Sequence, residues 1–132
     1  MLENFNGLEG LETIGRQIFI VTNTSLTSFS GLNSLTTAGG ALIVRENTTL
    51  QSLDGLSSLT TLGETVFDDD LPYSLDVRLN SSLTNIAALS SLTNVVASMI
   101  IVQNDSLLSL DGMQNITNYD DATNNVFVQE NP

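Results

Sequence analysis

Residues 26–63 read LTSFSGLNSLTTAGGALIVRENTTLQSLDGLSSLTTLG, and two interleaved periods in this stretch decide the fold. An apolar residue returns at every third position through Leu26, Phe29, Leu32, Leu35 and Ala38. There follows Leu42-Ile43-Val44-Arg45, a short segment in which Leu42 and Val44 alternate with Ile43 and Arg45, as on a strand. After Asn47 the three-residue period restarts at Leu50 and runs through Leu53, Leu56, Leu59 and Leu62.

The same grammar extends in both directions. Asn23, Asn47, Asn80, Asn104 and Asn131 mark one phase, and the first four are each followed three residues later by leucine. Strand-like pairs precede each asparagine: Ile18/Ile20, Leu42/Val44, Leu75/Val77, Met99/Ile101 and Val126/Val128. The chain opens part-way through an arm, at Leu2, Phe5, Leu8, Leu11 and Ile14. Internal self-similarity of this kind is the signature of a solenoid. The expected fold is all-β: a right-handed parallel β-solenoid of about five leucine-rich coils, forming a single domain over residues 1–132. Each coil is a strand, an Asn turn and a three-periodic arm that leads to the next strand. A lone coil cannot bury its apolar face, whereas coils stacked ~4.8 Å apart share a continuous core.

The five asparagines are expected to point inward as a ladder, each amide bonding the coil above and below, because an unpaired buried amide is costly. Gly7, Gly31, Gly55, Ala88 and Gly112 share a second phase, which suggests either close backbone approach or positive φ. Ala88 favours close approach, since alanine tolerates positive φ poorly. Two longer intervals, Asn47 to Asn80 and Asn104 to Asn131, place insertions near residues 64–72 and 120–125. Insertions in solenoids form loops that often carry function.

At this point the pattern resembles the receptor L-domain family of leucine-rich β-helices. The resemblance rests on residues 26–63, on the Leu-x-x-Leu-x-Gly-Leu, Gly39-Gly40 and Asn-x-x-Leu elements, and on the ending Val126-Phe127-Val128-Gln129-Glu130-Asn131-Pro132. It implies a right-handed β-helix, an extracellular or cell-surface setting and recognition of a protein or glycan. It implies no catalytic residues. Animal members have cysteines at the domain ends, and this chain has none.

Composition narrows the classes of function. The chain has 132 residues, no Cys and no His, so disulfides, thiolate or imidazole zinc sites and His-based triads are excluded. It carries 15 acids against 3 bases, a formal net charge of -12, and the bases are Arg16, Arg45 and Arg78. Nucleic acid and anionic membrane surfaces would be repelled. The longest apolar run, Val95 to Val102, falls far short of the ~20 residues of a membrane span. No signal peptide opens the chain at Met1, which suits a mature segment of a secreted precursor.

The candidate partner-binding face is the outward side of the strands. It comprises Phe19, Val21, Ile43, Arg45, Asp76, Arg78, Ile100, Val102, Phe127 and Gln129. A solvated face should be polar, yet this one carries two Phe, two Ile and two Val. Either a partner covers it or the insertions fold over it. Asp68, Asp69, Asp70 and Asp76, like Asp120 and Asp121, read as solvated acidic loops rather than a metal site. No cofactor, metal or catalytic residue is expected. Of five Asn-x-Ser/Thr sequons, four coincide with the ladder, leaving Asn115 as the glycosylation candidate.

The leading expectation is a non-catalytic extracellular binding or adhesion module. The alternative is a structural solenoid that self-assembles end to end into a filament, since residues 1–8 continue the phase of Asn131-Pro132. An ice-binding surface is a lesser alternative: Thr36/Thr37, Thr48/Thr49 and Thr60/Thr61 recur, but Thr93/Asn94 and Asp105/Ser106 break the arrays.

Overall fold

The computed structural model describes residues 2–63, 73–119 and 125–132. The insertion near 64–72 and residues 120–124 of the one near 120–125 lie outside them, and with them Asp68, Asp69, Asp70, Asp120 and Asp121. Ten strands follow one another in the described residues: β1 (Thr13–Ile14), β2 (Ile18–Val21), β3 (Thr37–Ala38), β4 (Leu42–Arg45), β5 (Thr61–Leu62), β6 (Tyr73–Arg78), β7 (Asn94–Val95), β8 (Ser98–Val102), β9 (Asn118–Tyr119) and β10 (Val126–Gln129). They form two five-stranded parallel sheets, β1-β3-β5-β7-β9 and β2-β4-β6-β8-β10. The chain is therefore an all-β solenoid. Five rungs per sheet correspond to about four complete turns, slightly fewer than the five coils that the repeat count suggests. The second sheet, built of two-residue strands, is an addition to the single strand per coil read from the sequence.

The three-residue period has a local cause. The N–H of Leu32 donates to the carbonyl of Phe29 at 3.1 Å, and that of Leu35 to Leu32 at 3.0 Å. The next coil repeats these turns at Leu56 to Leu53 and Leu59 to Leu56. Each turn closes over three residues, so every third side chain faces the same way. Leu26, Phe29, Leu35, Leu50, Leu53, Leu56, Leu59 and Leu62 are all fully buried. From the strands, Leu42, Val44, Leu75, Val77, Met99 and Ile101 join them in one core.

Both readings of the glycine phase hold together. Gly31 and Gly55 have φ of 104° and 113°, which suits the third position of a type II turn. A Cβ at either position would also fall on the carbonyl oxygen of the preceding coil, that of Phe5 or Phe29. Ala88 does not need a positive φ because its coil uses another turn. A 3-10 helix spans Ala87–Ser91 there, and Ala88 is not among the positive-φ residues.

At the end of each long strand the chain bends through one left-handed residue and then buries an asparagine. Asn47, Asn80 and Asn104 are fully buried, while Asn23 and Asn131 are half-buried. The Nδ2 of Asn47 donates to the carbonyl of Ile20 at 2.9 Å and to Oδ1 of Asn80 at 3.3 Å. Its own Oδ1 accepts from the backbone N–H of Asn23 at 2.9 Å. Asn80 repeats the pattern between Val44 and Asn104, and Asn104 between Val77 and Asn131. Replacing Asn47 with Asp removes two donated bonds and buries a carboxyl in their place. We predict a loss of about 2–4 kcal/mol on chemical denaturation. Asn115→Asp, at an exposed position, should change stability by less than about 0.5 kcal/mol. Equal losses in the two variants would contradict a buried ladder.

Candidate binding face

Parallel pairing in register sets the outward residues of the large sheet in two straight rows. The first runs Phe19, Ile43, Asp76, Ile100, Phe127 and the second Val21, Arg45, Arg78, Val102, Gln129. Their environments differ along the rows. Phe19 is 61% exposed and Phe127 44%, with Val21 exposed beside Phe19. Ile100 and Val102 are half-buried. Ile43 and Asp76, at 1% and 0%, have no access to solvent. The expectation that Ile43 and Asp76 face a partner is thus corrected for these two residues. The centre of the face is covered from within the chain itself, and its apolar margins are open.

Part of that cover is an ionic cluster over Asp76. Arg45 and Arg78 are cross-strand neighbours, a placement that sets like charges side by side. Asp76 resolves the conflict by accepting from both. Arg45 Nε lies 2.9 Å from its Oδ2 and Arg78 Nε 2.6 Å from its Oδ1, and both Nη2 atoms also reach Oδ2. Arg45 Nη2 further donates to the hydroxyl of Tyr73 at 2.7 Å. The Tyr73 ring sits 5.5 Å and 5.8 Å from the two guanidinium carbons, within cation–π range. The guanidiniums remain about one-third exposed, while the carboxylate between them is fully buried.

Tyr73 is the member that sequence reasoning missed. By strict alternation it shares the inward parity of Leu75 and Val77. The ladder between β6 and β8 shifts register between Tyr73 and Leu75, where Tyr73 pairs with Ser98 and Leu75 with Met99. This bulge changes the parity and brings the ring to the outward side, against the arginines. A strand-edge tyrosine beside a Pro-containing insertion is the only trace of it in the sequence.

Elsewhere the surface hydroxyls serve the stack. Thr36 and Thr60 donate to the carbonyls of Glu12 and Thr36 in the preceding coil, and Thr49 to that of Leu26. Asn115 is exposed, and its amide donates to the carbonyl of Ser90 at 2.8 Å.

Burial pushes the Asp76 carboxyl up, but the hydrogen bonds from Arg78 and Arg45 outweigh it and hold the pKa below its usual value. A depressed folded pKa means that the cluster stabilises the fold above the unfolded carboxyl value of about 3.9. That stabilisation disappears as pH falls through the lower, folded value. Asp76→Asn should therefore cost about 1–3 kcal/mol at neutral pH, moderated by the exposure of the guanidiniums. The gap between wild type and variant should narrow below about pH 4. Denaturation across pH 2 to 7 checks this, and a gap independent of pH would contradict it.

Among the described residues no helix is long and apolar enough to cross a membrane. No curated protein and no solved structure matches the chain. The family model for the Receptor L domain matches residues 13–119, which takes in β1 to β9 and most of both rows. Receptor L domains are ligand-binding modules of extracellular type. On that match, and on the stacked parallel coils, the chain belongs to the Receptor L domain family.

Proposed function

We propose that the chain is a non-catalytic binding module of a secreted or cell-surface protein, and that the outward face of its large sheet receives a protein partner. The observation that carries this reading is the exposure of Phe19, Val21 and Phe127 at the margins of a face whose centre is already filled. Exposed aromatic side chains on a rigid sheet are suited to act as anchors for a partner. The centre adds direction. Two guanidiniums over one carboxylate leave this face locally positive on a chain of net charge -12. The best-fitting partner surface is apolar with an acidic side chain in the middle. A glycan lacks the extended apolar area that Phe19, Val21 and Phe127 would cover.

A phage-displayed random peptide library panned on the immobilised chain tests the reading. Selected peptides should combine Asp or Glu with aromatic or aliphatic residues. They should lose at least about tenfold in affinity for a Phe19→Ser/Phe127→Ser variant that melts like wild type, as truncated anchors typically do. Failure to enrich such acidic, apolar peptides, or their equal binding to the variant, would overturn it. Polymers that grow with concentration in light scattering, blocked by Leu8→Glu, would instead favour end-to-end assembly.

A further inference from the structure

A second surface runs along the corner where each long strand meets its asparagine. The corner residues are Thr22, Glu46, Leu79, Gln103 and Glu130, with φ between 52° and 58°. Each of the first four is pinned by its N–H, which donates to Arg45, Arg78, Val102 or Gln129 of the next coil at 3.0–3.2 Å. Left-handed backbone favours glycine, yet none of the five is glycine. Two residues further on stand Thr24, Thr48, Ser81 and Asp105. The two rows are the walls of a groove of about 710 Å³ that spans all five corners.

Its chemistry is one-sided. Glu46, Asp105 and Glu130 line it, and none of the three arginines does. Leu79, 43% exposed, offers an apolar contact between them. The carboxylates stand on different coils. Glu46 and Asp105 are two rungs, roughly 10 Å, apart, and among the described residues no three acids are grouped closely enough to hold a metal ion. Five corners at ~4.8 Å span roughly 19 Å, the length of about six extended residues. We propose that this groove takes an extended, basic segment of a partner polypeptide, lying along the stack. Its cationic side chains would meet Glu46, Asp105 and Glu130, and an aliphatic stem would lie on Leu79. The field of a chain with net charge -12 would draw such a segment in. The inference stands apart from the sheet face, since none of the groove residues belongs to its two rows.

The probe is a fluorescein-labelled peptide amide, Lys-Thr-Lys-Leu-Lys-Thr-Lys, with its Glu-for-Lys counterpart as control. Anisotropy titrations compare wild type with Glu46→Gln/Asp105→Asn/Glu130→Gln. A second triple variant, Glu12→Gln/Asp54→Asn/Asp111→Asn, has the same net charge but changes exposed acids outside the groove. The basic peptide should bind wild type and the acidic one should not. The groove variant should weaken binding at least about fivefold, the sum of three modest exposed pairs, and the control variant no more than about twofold. Leu79→Lys provides a separate arm and should weaken binding without removing an acid. Equal losses in the two triple variants would reduce the effect to bulk charge and overturn the proposal. So would a basic peptide that fails to bind wild type, or cellohexaose competing for the groove more strongly than that peptide.

Discussion

Asn47 carries its side-chain amide to a position without water, and four hydrogen bonds to neighbouring coils replace the lost solvent. Asn80 and Asn104 do the same one rung apart. A primary amide suits this place because it donates twice and accepts twice, so each unit can bond in both directions along the stack. The bonds are satisfied only when successive coils are in register. Register then places the outward residues in straight rows, and the rows are what the molecule presents.

Two further constraints keep the coils aligned. The turn glycines back onto the carbonyl of the coil before, so Gly31 against Phe5 and Gly55 against Phe29 hold the arms closer than any side chain allows. The left-handed corner residues let the strand end and the asparagine turn inward within one residue. Neither device stabilises the chain much alone. Their value is that they repeat, so that each coil is the template for the next and the apolar core is continuous from Phe5 to Leu107.

Much of the architecture was legible because the inward residues are nearly all leucine, isoleucine or valine at fixed spacing. The period shows directly which side chains share a face. The short second sheet was not legible, because strands of two residues such as Thr37–Ala38 have no alternation to read. The candidate face was legible in part. Its residues follow from parity, but their exposure depends on contacts between coils. Nothing local distinguishes buried Ile43 from exposed Phe19, which occupies the same place one rung away. Tyr73 was hidden for a different reason: a bulge changes parity, and no residue type announces it. The corner groove was overlooked because left-handed positions are sought at glycine and asparagine, and these five are threonine, glutamate, leucine and glutamine.

The central claim is that buried, mutually bonded asparagines hold the stack together. Hydrogen exchange of the side-chain amide protons, followed by NMR, tests it most directly. The Nδ2 protons of Asn47, Asn80 and Asn104 should exchange only through global unfolding, as slowly as the most protected backbone amides of β4 and β6. The exposed amide of Asn115 should exchange fast by comparison. Fast exchange at Asn47 and Asn80, indistinguishable from Asn115, would mean that the ladder is open to water and that some other contact sets the register.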